Sequence, residues 1–329
     1  MLWRPFRAWL QHSDKPILVG PFRGEVGFEA LYWLPFLAAL RIQCGIARER
    51  IIPITRGGAG VWYDTPTAVE LYAMRTPQDV RVEHRLQHQA NGQLKQTHVT
   101  LFDRGVIQDA AASLGLTRRR DYHVLHPSWM YQSLSAFWNA WQGLGWLSNR
   151  LAFPRIAAPI VQGLTLPPIF AAARFYFRPT FKMTPTNVAF AEQTLRQMAA
   201  QHPVVVLNSG LHLDDHFDYV PTNIPNVTVL SDVVPLTPEN NLAVQSAVLG
   251  RALGFVGTYG GLAQLALRMG KPSVSVYDDW QGTALSHRHL SDAVSLQSNV
   301  PFIVQRITDL ALQQSVLPQV TVEKTERSS

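Results

Sequence analysis

Cysteine is nearly absent. Cys44 is the single one in 329 residues, so no internal disulfide can form and no cysteine pair exists for a structural zinc. That scarcity fits a reducing compartment. Charge is also sparse, at 16% of residues against 47% hydrophobic, which excludes a disordered chain. Long uninterrupted apolar runs are missing. The most apolar stretch, Leu151 to Ala173, is broken by Pro154, Pro159, Pro167 and Pro168 and carries Arg155 and Gln162, which excludes a transmembrane helix. The opening Met1-Leu2-Trp3-Arg4 lacks the apolar centre of a secretion signal. A cytoplasmic location is therefore expected. Basic clusters are lacking as well. The net charge is +6, yet the densest run is only Arg118-Arg119-Arg120, and no zinc finger, RNA-binding aromatic strand or basic heptad accompanies it. Nucleic acid is not expected as a partner; an anionic substrate or an anionic membrane surface suits the mild positive excess.

What is present is alternation. Short β-rich runs at Pro16 to Gly20, Ile51 to Ile54, His98 to Phe102 and Tyr122 to Leu125 predict strands. Between them, Phe28 to Gly45, Pro66 to Met74 and Val106 to Leu114 carry helical spacing, with Pro35 placed to kink the first. A second series predicts strands at Ala172 to Phe177, Val204 to Asn208, Val227 to Leu230, Gly254 to Gly257 and Ser273 to Tyr277. Its helices are Pro185 to Ala200, Pro238 to Leu249, Leu262 to Met269 and Ile307 to Gln314, with Thr184 and Thr237 as N-caps of the first two. The expected fold class is α/β, with two Rossmann-like parallel-sheet domains facing a central cleft. Residues 1–165 make the first domain with its aromatic-rich connection, 166–315 the second, and 316–329 a polar tail. Ligands of such sheets bind beyond the carboxyl ends of the strands.

Three turns at those ends carry candidate chemistry. Gly257-Thr258-Tyr259-Gly260-Gly261 joins a strand to a helix in which Gln264 sits on the first turn. Glycines let backbone approach a ligand, and the free amides with the helix dipole favour a diphosphate. A tight turn that needs glycine only for packing is the alternative. Arg23-Gly24-Glu25-Val26-Gly27-Phe28-Glu29 follows the first strand. Glu25, and less so Glu29, suits a general base in an exposed glycine-flanked loop, while N-terminal helix capping competes for both. Asn208-Ser209-Gly210 leads into Asp214-Asp215-His216. Asp215 and His216 suit donor contact or catalysis, a metal site is a weaker reading, and an ordinary polar turn competes. Arg174 and Arg178 bracket a strand and could neutralise a leaving phosphate. Glu239 could grip a ribose or cap a helix, and His126 could hold an acceptor or serve structure.

The stretch from Phe255 to Tyr277, with Gly270-Lys271-Pro272 before its last strand, resembles the donor-domain signature of GT-B glycosyltransferases of the heptosyltransferase-like and fucosyltransferase-like kind. The resemblance implies that Gly257, Thr258, Tyr259, Gly260, Gly261 and Gln264, with Arg174, Arg178, Asn208, Ser209, Gly210 and Glu239, bind a nucleotide-sugar donor. It implies that Glu25, Glu29, Asp215 and His216 supply catalysis, and that Arg23, Gly24 and His126 face the acceptor. No cofactor and no metal are expected beyond the donor substrate. The acceptor would be a carbohydrate or a lipid-linked one. Trp3, Phe6 and Trp9 beside Arg4 and Arg7, with the aromatic block Trp129 to Trp146, could mark a surface at the inner face of a membrane. A nucleotide-sugar epimerase or hydrolase and a non-catalytic scaffold remain the alternatives.

Overall fold

A computed structural model describes residues 10–11, 13–91, 95–213, 216–279 and 284–312. The N-terminal aromatic residues, Asp214, Asp215 and the expected polar tail lie outside the described residues.

Two parallel sheets organise the chain. The first contains β1 (Ile17–Val19), β2 (Ile51–Thr55), β3 (Val69–Glu70) and β4 (His123–Leu125), in the order β3-β2-β1-β4. Ile17 lies opposite both Ile51 and His123, so β1 is paired on each side and its three apolar residues are buried on both faces. The second sheet contains β5 (Ala171–Arg174), β7 (Val204–Val206), β9 (Val227–Val229), β10 (Phe255–Thr258), β11 (Ser273–Tyr277) and β12 (Phe302–Arg306). Its order is β12-β11-β10-β5-β7-β9, parallel throughout. A small antiparallel pair, β6 (Tyr176–Phe177) with β8 (Phe217–Asp218), stands beside it.

Several elements differ from expectation for identifiable reasons. The expected strand over His98 to Phe102 is a helix start. Thr100 accepts from the Asp103 backbone and Asp103 returns the bond, a capping box that opens the helix Leu101–Ser113. Pro66 to Met74 is not helical; it holds β3 and a single 3₁₀ turn, Leu71–Ala73. The expected strand Ala172 to Phe177 breaks after Arg174, and Tyr176 turns away to pair with Asp218. Helices Pro77–Asn91 and Ala284–Ser298 and strand β12 were not anticipated. Ahead of Pro35, which has no N–H to give, the chain forms a π turn, Glu29–Trp33, between Val26–Phe28 and Leu34–Cys44. Thr184 does cap its helix, accepting from the Asn187 backbone. Thr237 does not cap the next one, which begins at Asn241.

One hydrophobic cluster runs through both sheets, from Val19 and Trp33 to Leu262 and Phe255. The domains therefore meet in a packed seam. Helix Gly261–Arg268 lies against the Val26–Phe28 turn, and the buried Arg268 Nε donates to the Ala30 carbonyl at 3.1 Å. The Gly57 carbonyl accepts from Leu242 N at 2.8 Å and Ala243 N at 3.0 Å, so the first domain supplies the cap for a second-domain helix. Trp62 Nε1 donates to Ser246 Oγ at 2.8 Å across the same boundary. Among the described residues, no helix is long and apolar enough to cross a membrane.

Candidate active site

β10, β5 and β7 lie side by side in the second sheet, and the turn after β10 packs on the turn after β1. Glu25 ends the loop after β1. It is exposed, sits at the N-cap of the Val26–Phe28 turn, and makes no capping bond with its side chain. Its carboxylate is thus not consumed by the turn it precedes. Its charge reaches two buried phenols in different domains. Burial, and then Glu25, raise the pKa of Tyr131. Burial also raises that of Tyr176, where Arg178 and Arg174 oppose the shift and Glu25 adds to it.

Around Tyr176 the second domain builds a compact polar wall. The His216 ring stacks on Tyr176 with centroids 4.6 Å apart. Arg174 holds Asp218 with Nε at 3.0 Å and Nη2 at 3.3 Å, and its guanidinium sits 5.5 Å from the Tyr176 ring. Arg174 is therefore committed to the β6–β8 pair, whereas the field of Arg178 bears on both Tyr176 and His287. Asn208 is buried and donates to the Tyr219 carbonyl at 2.7 Å, fixing the loop that follows β7. Ser209 Oγ accepts from the Leu211 backbone at 3.2 Å, and Gly210, at φ +68°, is exposed. Asp215 lies outside the described residues. Among the described residues, no group of three His, Cys, Asp or Glu side chains could hold a metal.

The glycine turn after β10 is packed closely against neighbouring protein. A side chain at Gly257 would collide with the Arg174 carbonyl, and one at Gly260 with the Tyr176 hydroxyl. One at Gly261 would stand 2.7 Å from Val26 Cβ, and one at Gly27 would strike the Gln264 amide. Thr258 is buried and exchanges bonds with the Tyr176 backbone, at 3.0 and 3.1 Å. Tyr259 is buried too; its hydroxyl accepts from Gln264 Nε2 at 3.2 Å, and its carbonyl accepts from the Tyr176 hydroxyl at 3.2 Å. These residues close the seam. In this arrangement protein atoms occupy the space that the glycines clear.

Three other expected site residues face inward. Glu29 is fully buried. Thr55 Oγ1 and the Tyr63 hydroxyl donate to its Oε1 at 2.8 and 2.5 Å, and Arg56 Nη1 approaches Oε2 at 2.8 Å. Burial raises its pKa, and the Arg56 charge pulls against that shift. Arg56 also donates to the Gly24 carbonyl, so the Glu29–Arg56 pair fixes the loop that carries Glu25. Arg23 is buried with Nε 3.0 Å from Asp103 and Nη2 2.8 Å from Gln87. His126 Nδ1 accepts from the Ser128 backbone at 3.1 Å, and its Nε2 lies 3.2 Å from the same Asp103. Arg23 and His126 are thus joined through one carboxylate, whose pKa is held well below the usual range by His126 and Arg23 against the cost of burial. Glu239 is exposed at the start of the helix that Gly57 caps.

Sequence reasoning missed Tyr176 and Tyr131, the two phenols in the field of Glu25, and the role of Arg56. Tyr176 had a legible signal in its position just past Arg174. Arg56 was visible as the cation ending β2, but nothing in the sequence pairs it with Glu29.

No protein-family model matches the chain, and no curated protein matches it. Solved structures show a loose likeness. A glycosyl transferase family 9 protein from Veillonella parvula is 12% identical, with 93% of this chain and 91% of that chain covered and a TM-score of 0.44. The E. coli heptosyltransferase WaaC with ADP is 14% identical, covering 86% and 98% at a TM-score of 0.40. The glycosyltransferase SnogD from Streptomyces nogalater is 12% identical, covering 92% and 99% at 0.36. Likeness at this level fixes no residue's role, and the chemistry below rests on the atoms of the site.

Proposed function

We propose that the protein is a glycosyltransferase of the GT-B kind, moving a sugar from a nucleotide-sugar donor to a hydroxyl acceptor. One observation carries this reading: Glu25 is an exposed, uncommitted carboxylate at the end of the loop after a central strand, and its charge bears on Tyr176 of the opposite domain beside Arg174 and Arg178. In the proposed reaction Glu25 takes the proton of the acceptor hydroxyl as its oxygen attacks the anomeric carbon. The bond from that carbon to the diphosphate breaks, and the nucleoside diphosphate leaves with the electron pair. Arg178 offsets the charge developing on the leaving group, and His216 and Tyr176 form the wall against which the donor lies. Glu29 and Arg56 position the Glu25 loop from beneath. The nucleotide sugar is the substrate, and neither a metal nor a further cofactor is invoked. A cytoplasmic site of action, with the acceptor drawn from polysaccharide or glycolipid synthesis, belongs to the same proposal.

A second reading has an observation of its own. The closely packed β10 turn suits a non-catalytic scaffold with a degenerate cleft. Turnover separates the two. Incubation with a nucleotide-sugar panel and mixed saccharide acceptors should release nucleoside diphosphate from wild type, with Glu25→Gln slower by about 10²-fold or more. Equal release by both proteins would remove Glu25 from the chemistry, and binding without release would favour the scaffold.

A further inference from the structure

A cavity of about 1220 Å³ lies on the flank of the first domain, between the free edge of β4 and helix Leu101–Ser113. Its lining includes Ile107, Ala111, Leu116, Val124 and Trp129, together with His126 and two arginines, Arg104 and Arg119, and no carboxylate is among the lining residues. The volume exceeds the usual range for a small-ligand pocket, about 300–1,000 Å³. An apolar floor with cations and no acid matches an amphiphile with an anionic head.

The fold orients the groove. His123 N donates to Pro16 and the Leu125 carbonyl accepts from Gly20, so the peptide groups of these two residues turn toward β1 and those of Val124 turn outward. Asp103 meets His126 just beyond the carboxyl end of β4, so the start of the helix, with Arg104, lies at the sheet edge where the rim of the seam forms. Arg119 precedes β4 and lies at the opposite end. It is tethered there, donating to the Tyr122 carbonyl at 3.1 Å and lying 5.1 Å from its ring. Arg104 is exposed and forms no ion pair among the described residues. Between residues 104 and 112 the helix rises about 12 Å, the length available to a chain lying along it. Trp129 also lines the groove, on the same short helix, Ser128–Ser133, that carries Tyr131 into the field of Glu25.

We infer that this groove holds the apolar chain of a prenyl or acyl phosphate, with the phosphate at Arg104 and the chain running toward Leu116. A sugar carried on that phosphate would then be presented toward Glu25. The use of the amphiphile as acceptor carrier rests on the transfer reading above, but its binding does not.

Equilibrium titration of the full chain tests the groove directly, with farnesyl diphosphate, the short-chain dimethylallyl diphosphate and inorganic pyrophosphate as probes. Farnesyl diphosphate should bind at least about tenfold more tightly than dimethylallyl diphosphate, since each buried methylene adds to affinity. Ala112→Trp and Gln108→Trp place bulk at exposed positions that line the groove, and melting curves verify that each folds. Both should weaken farnesyl diphosphate by about tenfold or more and leave pyrophosphate unchanged. Arg104→Glu should weaken both prenyl diphosphates. Affinity independent of chain length, or undiminished in both tryptophan variants, overturns the inference. So does binding to phosphatidylglycerol vesicles that persists in both variants while farnesyl diphosphate fails to bind, because a membrane surface would then be the partner. Nucleotide-sugar binding reads the other site, so either proposal can fail while the other stands.

Discussion

The turns after β1 and β10 look alike in sequence, each a strand running into glycines and then a helix, but they do different work. In the β10 turn every residue from Gly257 to Gly261 is pressed against protein, and the buried Tyr259 and Gln264 bond to each other. In the β1 turn the glycines allow the same close packing at Gly27, but Glu25, two residues earlier, remains exposed. Glycine before a helix thus signals close approach without saying what approaches. In this protein the two helix starts approach each other, and the polar group left over at the rim is the carboxylate.

The same contrast holds between Glu25 and Glu29, four residues apart on one turn of chain. Glu29 is enclosed by Arg56, Thr55 and Tyr63, whereas Glu25 has no capping bond. Removing each should separate structure from chemistry. Glu29→Ala strands the buried Arg56 charge and should cost about 3–5 kcal/mol, read as a lower midpoint in denaturant. A loss under about 1 kcal/mol would mean that the pair does not anchor the loop.

Two partly buried histidines, His287 at the seam and His84 in the first domain, give the next effect. Burial, with Lys95 and Arg178 nearby, holds His287 at about 4, and burial does the same to His84. Both folded values lie below the unfolded value of about 6.5, so the unfolded chain binds more protons between these limits. Stability is then fully present above about pH 6.5 and falls as the pH drops toward 4, by up to about 1.4 kcal/mol per pH unit for each histidine. His287→Gln should flatten that slope, measured by denaturant midpoints across the window. An unchanged slope would show that His287 is not the buried group the seam requires.

Gly261→Val tests the packed turn itself. Its Cβ would meet Val26 at 2.7 Å, and the expected loss is about 1–3 kcal/mol. A neutral result would mean that the seam opens readily at the β10 turn. The smallest effect on stability belongs to Glu25→Gln, within about 0.5 kcal/mol, because the residue is exposed and makes no cap.

Much of this architecture was legible. The buried apolar strands Ile17–Val19 and Val204–Val206 announced parallel sheets, and the alternation with helices gave the two-sheet plan. Thr100 and Asp103 also spelled out a helix start, but the β-branched Val99 and Thr100 beside Phe102 outweighed that signal. Residues 284–298 were passed over because their apolar positions are few and spread between polar ones. For the site, an exposed Glu25 after β1 was readable from the glycines around it. The burial of Glu29, Arg23 and His126 was not, because each depends on a partner 23 to 80 residues away in the chain. The filling of the β10 turn was hidden for the same reason: Val26 and Tyr176 are far from it in sequence.

The central claim is that the rim between Glu25 and the Tyr176–Arg178 wall binds a nucleotide sugar. A thermal-shift titration against a panel of nucleotide sugars tests it most directly, using wild type, Glu25→Gln and Arg178→Ala. A ligand at a hundred times its dissociation constant stabilises the native state by about 2.7 kcal/mol. The account predicts a rise in melting temperature with one nucleotide class, kept in Glu25→Gln, which retains the donor wall, and lost in Arg178→Ala. No rise with any nucleotide sugar, or a rise that Arg178→Ala retains in full, would contradict it.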